Sequence, residues 1–190
     1  MQKLIAFESV SADGYFADKN NDLSWAHGND DPEFNAFVAD NAKAGGGGEG
    51  TLVMGRVTYD MMVQYWPTPQ AKKDMPDAAK RMNEMPKLVF SITMREASWS
   101  NTTLVNGDIE SVIRNAKQKA GGGITILGSG SIVSQLTEAG LIDEYQLVIV
   151  PVVLGEGRKL FDIHKNLGLE LKSSRVFGNG NVFLTYAPKA

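Results

Sequence analysis

Short apolar runs alternate with amphipathic stretches along most of the chain. Five runs are rich in strand-forming residues and are bounded by turn residues, as expected of buried strands: 3–10, 51–54, 87–92, 124–127 and 144–154. Four stretches have helical spacing and a capping or turn residue near their start: 32–43, 56–65, 109–120 and 131–139. Alternating strands and helices predict an α/β fold, with a mostly parallel central sheet flanked by helices.

The end of the chain has a different pattern. Runs 169–177 and 182–188 flank Gly178-Asn179-Gly180-Asn181, which predicts a C-terminal antiparallel hairpin. The glycine run 45–48 is interpreted as a flexible connection inside a domain, because a strand pattern resumes at Thr51. With 190 residues, the chain is expected to form a single domain over 1–190.

Composition excludes several classes of function. The 43% hydrophobic and 22% charged residues are typical of a soluble globular protein, and the net charge of −3 offers no positive field for nucleic acid. Without cysteine there is no disulfide or thiol chemistry, and His27 and His164 have no metal-ligand spacing, so no metal site is predicted. No stretch approaches the ~20 apolar residues of a membrane span, and a cytoplasmic location is expected.

Three segments that carry glycine or hydroxyl groups lie at the exits of predicted strands: 54–58, 91–93 and 128–131. The carboxyl ends of parallel strands share one edge of a sheet, and helix amides there face anions, so these segments predict a dinucleotide site. Arg56 has a guanidinium suited to phosphate, although a solvated surface charge is the alternative. Gly128 and Gly130 would let a pyrophosphate approach the backbone. An ordinary Rossmann domain is excluded, because Val133 occupies the third glycine position.

The order of these motifs resembles the dihydrofolate reductase fold, and more closely the C-terminal reductase domain of the bifunctional riboflavin-biosynthesis protein and its small stand-alone bacterial relatives. The resemblance is carried by SADGYFA, VMGRVTY, FSIT and GSGSIVSQLTEAGLIDEYQLVIVPVVLGEGRKLF, and it spans nearly the whole chain. It implies an NADPH cofactor, a small-molecule substrate and a homodimer; the strand DEYQLVIVPVVL, apolar on both faces, favours the dimer. The implied cofactor contacts are Ala6, Gly14, Gly55, Arg56, Val57, Thr58, Ser91, Ile92, Thr93, Leu127, Gly128, Ser129, Gly130, Ser131 and Ile132.

The resemblance also implies an activity, for which the nearest named reaction is 5-amino-6-(5-phosphoribosylamino)uracil reduction. The segment AKAGGGGEG lacks the arginine expected before VMGR, which argues against a phosphorylated substrate. The alternatives are a dihydrofolate reductase and a nucleotide-binding module without turnover. Either way, the expected substrate of a reductase is a small heterocycle.

Two acids are candidates for catalysis by resemblance. Asp13 would contact the substrate beside the nicotinamide, although Asp13-Gly14 is equally a simple turn. Glu33, at the start of the first helix, would pair with the substrate, with Asp31 or Asp30 as alternatives and Trp25 beside it. Asp31 as a helix cap and Glu33 as a surface charge remain open.

Overall fold

The computed structural model describes residues 1–26, 31–44 and 50–189. Their strands are β1 Leu4–Ser11, β2 Tyr15–Ala17, β3 Thr51–Gly55, β4 Lys87–Phe90, β5 Thr102–Val105, β6 Ile124–Leu127, β7 Glu144–Val150, β8 Arg158–Lys159, β9 Leu169–Val176 and β10 Val182–Pro188. Their α-helices are α1 Pro32–Ala44, α2 Arg56–Val63, α3 Pro69–Asp74, α4 Pro76–Glu84, α5 Ile109–Gln118 and α6 Gly130–Glu138. The glycine run 45–48, His27 and Asp30 lie outside the described residues. Within the described ranges, no helix is long and apolar enough to span a bilayer.

Eight strands form one sheet in the order β5-β4-β3-β6-β1-β7-β10-β9. The six strands from β5 to β7 are mutually parallel, whereas β10 is antiparallel to both β7 and β9. This confirms the predicted α/β fold, its mostly parallel sheet and its C-terminal antiparallel pair. The parallel strands place the loops that follow β1, β3, β4 and β6 along one edge of the sheet.

The core positions the helix that borders this edge. Ala6 of β1 and Ile126 of β6 are fully buried and belong to the same cluster as Ile132, Val133 and Leu136 of α6. The apolar stripe of α6 thus holds the helix against the two central strands. Its first residues consequently lie at the carboxyl ends of those strands.

Several elements are not predicted from the sequence. Helices α3 and α4 are mostly polar and bury one alanine each, Ala71 and Ala79, so they lack an apolar stripe. Both do begin with a proline, and Thr68 Oγ1 accepts a hydrogen bond from the amide of Ala71, which is the usual chemistry of a helix start. Strands β2, β5 and β8 have only two to four residues and show no clear alternation.

Strand β7 is apolar on both faces because it lies inside the sheet of a single chain. It lies between β1 and β10, and Tyr145, Leu147 and Val148 are all buried within one chain. Its predicted continuation beyond Val150 is wrong, because the strand ends before Pro151. The two-sided burial therefore does not require a partner subunit, and the homodimer stays a prediction without this support.

Lys87 is a buried cation that stabilises the start of β4. Its Nζ donates to the carbonyl oxygens of Met85 at 2.8 Å and Ser100 at 3.2 Å, and lies 4.4 Å from the centre of the Trp99 ring. Burial lowers the pKa of the Lys87 ammonium to about 8. The backbone carbonyls and the ring account for this lysine as a structural group.

Candidate active site

A cavity of about 850 Å³ opens at the carboxyl edge of the parallel strands. Its volume falls within the range of roughly 300–1,000 Å³ that holds small ligands and cofactors. The walls include residues 55–58, 91–93 and 128–131 of the three segments predicted from the sequence, and also Leu127 and Ile132. The structure therefore brings together thirteen of the fifteen expected cofactor contacts, while their role in binding stays a prediction.

Ser129 connects the two glycine turns of this cavity. Its Oγ accepts a hydrogen bond from the amide of Gly55 at 2.6 Å and lies 3.0 Å from Thr58 Oγ1. Gly128 and Ser129 both have positive φ, +55° and +82°, so the chain turns sharply between β6 and α6. A Cβ at Gly128 would lie 3.1 Å from Thr58 Oγ1, which explains the need for glycine here.

The helices that follow these turns direct amides at the cavity. Helix α2 begins after Gly55 and α6 after Ser129, and neither cap residue gives a side-chain hydrogen bond to the first turn. Uncapped first-turn amides and the helix dipole favour an anion. Because Arg56, Val57, Gly130 and Ser131 all line the cavity, both helix starts can bind the same anionic ligand.

A cationic and hydroxyl-bearing rim lies beside the first of these helices. Arg56 Nη1 is 2.9 Å from Asp60 Oδ2, and both side chains are about half exposed, which favours an adaptable surface pair. Ser91 Oγ accepts hydrogen bonds from the amides of Thr93 and Met94. These contacts shape the loop after β4, and Arg56, Ser91 and Thr93 all line the cavity.

A two-stranded ribbon of β2 and β8 forms another part of the cavity wall. Tyr15 pairs with Lys159 and Ala17 with Arg158. Phe16, between them, lines the cavity together with Arg158, whose guanidinium carbon lies 5.3 Å from the centre of the Phe16 ring. The ribbon thus contributes an aromatic face and a cation that are far from the glycine turns in sequence.

The contacts of Gly130 differ from those expected. A Cβ built there would lie 2.2 Å from Phe16 Cε1, so the absence of a side chain accommodates the aromatic ring. The expected approach of a pyrophosphate to the backbone at Gly128 and Gly130 stays a prediction, while the space beside the Gly130 α-carbon is occupied by Phe16. The neighbouring amides of the α6 start remain part of the cavity wall.

Asp13 binds the loop that leads into the ribbon. Its carboxylate accepts hydrogen bonds from Ser11 Oγ at 2.7 Å, Leu154 N at 3.1 Å and Gly155 N at 2.7 Å. The bond from Ser11, followed by those from the two amides, lowers the pKa of Asp13 to about 2. The structure gives Asp13 these partners instead of a place in the cavity wall, and Gly14, with φ +90°, forms the adjoining turn.

Replacing Asp13 by asparagine is expected to lower the melting temperature at neutral pH by a few degrees. The folded carboxyl has a pKa of about 2 against an ordinary 3.8, so its contribution is present above about pH 4 and is lost as the pH falls towards 2. Thermal melting of wild type and variant should therefore give curves that converge on acidification. A difference that persists unchanged at low pH would contradict this role.

The other acids expected at the site lie elsewhere. Asp31 caps α1, since its Oδ1 accepts from the amides of Glu33 and Phe34, and these bonds, that of Phe34 foremost, lower its pKa. Glu33 Oε1 is 2.6 Å from Arg175 Nη2 on β9. Neither residue lines the cavity. Asp31 is a helix cap, and Glu33 is a surface charge paired with Arg175.

Trp25 and Ala6 also lie outside the cavity wall. Trp25 Nε1 donates to the carbonyl of Asp22, and its ring packs on the cluster that contains Val148 and Phe183. Ala6 is fully buried beneath the neighbouring wall residues Phe7 and Glu8. Their expected substrate and cofactor contacts are not brought to the cavity by the fold.

Glu8 is a cavity residue that the sequence analysis does not predict. It lies in β1 with 3% of its surface exposed, and its Oε1 is buried without a hydrogen-bond partner in the described residues. Burial raises the pKa of this carboxyl well above its ordinary value of 4.5. A signal is present in the sequence, since Glu8 is the one charged residue within the strand LIAFESVS.

Comparisons with known proteins agree with this architecture. Residues 2–183 match the family model of the RibD C-terminal domain. The chain is 30% identical over 190 residues to the uncharacterized protein YyaP of Bacillus subtilis (strain 168), covering 97% of this chain and 94% of that protein. A solved protein assigned to riboflavin biosynthesis from Shewanella sp. PV-4 has a TM-score of 0.75 and 29% identity, with 100% of both chains covered.

The predicted resemblance to dihydrofolate reductases is tested by the fold of a solved member. Dihydrofolate reductase from Enterococcus faecalis, solved with NADP(H) and RAB-propyl, has a TM-score of 0.64 at 16% identity, covering 99% of this chain and 97% of that one. This likeness confirms the dihydrofolate reductase-like fold. A reductase-like fold is thus established from both the family match and the structural neighbours.

Proposed function

Because the chain belongs to the RibD C-terminal domain family, we propose that it is an NADPH-dependent reductase of a small heterocyclic substrate. The observation that carries the proposal is the pair of uncapped helix starts, α2 and α6, which face one cavity at the carboxyl ends of β3 and β6. This donor set fits a ligand with a chain of phosphates. The solved dihydrofolate reductase of the same fold was obtained with NADP(H), which supports the choice of cofactor.

Distinct parts of the cavity would hold distinct parts of the cofactor. The turns 55–58 and 128–131 would bind the pyrophosphate through backbone amides, and Arg56 with Ser91 and Thr93 would bind the 2′-phosphate. When bound, NADPH supplies the hydride. The protein orients the two reactants and excludes water, and Phe16 of the ribbon covers part of the cavity for that purpose.

Arg158 supports a substrate with an acidic group. It lies in the cavity wall on the ribbon, and its guanidinium stacks on Phe16. This cation would bind an acidic group of the substrate. The nearest named activity remains 5-amino-6-(5-phosphoribosylamino)uracil reduction, and dihydrofolate is the second compound to test.

NADPH is expected to bind about tenfold more tightly than NADH, equivalent to ~1.4 kcal/mol, because the 2′-phosphate gains the Arg56 guanidinium. Isothermal titration with each dinucleotide measures the ratio. Arg56→Ala should remove most of this preference, because it should weaken the binding of NADPH and leave the binding of NADH unchanged.

The matched control for Arg56 is Arg114→Ala. Arg114 also pairs with an acid one helical turn away, Glu110, but Arg114 itself does not line the cavity. This variant should keep the wild-type ratio. Equal dissociation constants of the wild type for NADPH and NADH would contradict the 2′-phosphate site. Tight NADPH binding without oxidation by either test compound would favour a nucleotide-binding module.

A further inference from the structure

Glu8 lies where the central strands separate. Phe7 pairs with Leu127, the last residue of β6, so Glu8 is the first residue of β1 beyond the end of that neighbour. On its other side Glu8 pairs with Leu147 of β7. Since side chains alternate along a strand, Glu8 points to the same face as the buried Ala6 and Val10. Its carboxyl is therefore at the junction of the apolar core and the cavity.

The surroundings of Glu8 favour a neutral carboxylic acid. With Oε1 buried and unpartnered among the described residues, no hydrogen bond offsets the loss of water that ionisation of this oxygen would require. Burial accordingly raises the pKa of the group well above 4.5. The strands and helix packed around it add little charge. Neither β6 nor β2 has a charged residue, and Glu138 lies at the far end of α6.

The remaining charged groups near β1 have other partners. Glu144 on β7 is 3.6 Å from Lys3 at the opposite end of the strands, and Arg158 on β8 stacks on Phe16. Two other acids line the cavity, but both are exposed. Asp108 caps α5, and bonds from Ser111 lower its pKa, while Glu110 pairs with Arg114. Within the described cavity wall, Glu8 is thus the acid whose surroundings favour the protonated form.

We propose that Glu8 is the proton donor of this reductase, acting on the heteroatom of a substrate C=O or C=N bond. The proposal rests on the proposed function, because it requires a hydride acceptor in the same cavity. A protonated carboxyl at the inner end of a partly apolar pocket suits a neutral heterocyclic carbonyl or imine, whose heteroatom can accept its hydrogen bond. An anionic group of the same substrate would bind at Arg158.

The reaction balances with this assignment. Hydride adds to the carbon of the double bond, and the π electrons move to the oxygen or nitrogen. That atom takes the proton of Glu8. The O–H bond of the Glu8 carboxyl breaks as the new O–H or N–H bond of the product forms. The carboxylate left behind takes a proton from water that enters the cavity after the product leaves. Its raised affinity for a proton favours this last step.

The protonation state is tested first, without any substrate. The unfolded carboxyl ionises near its ordinary pKa of 4.5, whereas the folded one stays protonated, so this residue's contribution to stability falls as the pH rises above 4.5. Glu8→Gln cannot ionise. Its melting temperature, relative to wild type, should therefore rise as the pH increases above about 4.5. Glu144→Gln, which makes the same change on the neighbouring strand, is the control measured beside it.

The proton transfer is tested with NADPH and the two compounds named above. Glu8→Gln should lower kcat by ~100-fold and leave the NADPH dissociation constant unchanged, whereas Glu144→Gln should keep wild-type values of both. Wild-type kcat/KM should fall as the pH rises through the pKa of Glu8, and the low activity of Glu8→Gln should not follow the pH in this way. Infrared spectra of the wild type should show a buried carboxylic acid band at neutral pH, which does not depend on any variant folding.

Two outcomes would overturn the role of Glu8 and leave the reductase standing. They are full turnover in Glu8→Gln, and an ionised Glu8 shown by the lack of both the infrared band and the pH trend. Failure of the wild type to bind NADPH would overturn the proposed function instead. Binding without turnover of either compound would overturn both proposals.

Discussion

Replacing Gly157 by alanine is expected to lower the free energy of unfolding by about 3 kcal/mol, because the new side chain meets both an unfavourable backbone conformation and a steric clash. Gly157 has φ +143°, a conformation that residues with a side chain avoid. A Cβ there would also lie 2.2 Å from the carbonyl oxygen of Ala17, which is backbone and cannot rotate away. The β2–β8 ribbon must therefore shift to accept it. Urea unfolding of the two proteins measures the change.

Gly155→Ala is the matched control for this substitution. Gly155 also has positive φ, +73°, but a Cβ there would have no atom within 4 Å. It should cost only the backbone strain, about 1 kcal/mol. Because the ribbon carries Phe16 and Arg158, Gly157→Ala should also raise KM for substrate, whereas Gly155→Ala should not. Equal losses of stability in the two variants would show that the contact with Ala17 is unimportant.

Replacing Gly130 by valine is expected to weaken NADPH binding at least tenfold, or ~1.4 kcal/mol. Gly130 is the first residue of α6 and does not have positive φ, so its backbone tolerates a side chain. The Phe16 ring does not, because Cε1 and Cδ1 would lie 2.2 and 2.4 Å from the new Cβ. The displaced ring and the added methyls then occupy the cavity beside the α6 amides. Titration with NADPH measures the loss.

A second substitution separates binding from folding. Phe16→Ala removes the ring that conflicts with valine. Gly130→Val should therefore lower the melting temperature less in the Phe16→Ala background than in the wild type. If the pyrophosphate lies against the start of α6, the double variant should still bind NADPH weakly, because the valine remains. Restored affinity in the double variant would mean that Gly130 serves only the packing of Phe16.

The predicted cofactor rim illustrates how far local pattern extends. The segments at 55–58, 91–93 and 128–131 were each identifiable as following a strand, since apolar runs and glycine turns are local features. Parallel strand order then places strand ends at one edge, and the cavity lies there. The hydrogen bond between Ser129 and Gly55, which spans 74 residues, is what aligns the two helix starts. That contact has no local signal.

The acids show where the pattern is insufficient. Asp13, Asp31 and Glu33 all stand in sequence positions that suit either a turn or cap or a catalytic group, and no local property distinguishes the two. The distinction comes from partners such as Gly155, 142 residues from Asp13, and Arg175, 142 residues from Glu33. None of these acids lines the cavity.

The sequence by itself determined the α/β class, the position of the long strands and helices, the C-terminal hairpin and the segments that follow the strands. These features depend on side-chain periodicity and turn chemistry within a few residues. Only the tertiary structure decided that Phe16 packs on Gly130, that Asp13 binds the loop at Gly155 and that Glu8 Oε1 is buried without a hydrogen-bond partner among the described residues. The physical reason is that burial and pairing are set by atoms distant in the chain, and the ionisation of a carboxyl depends on them more than on its neighbours in sequence.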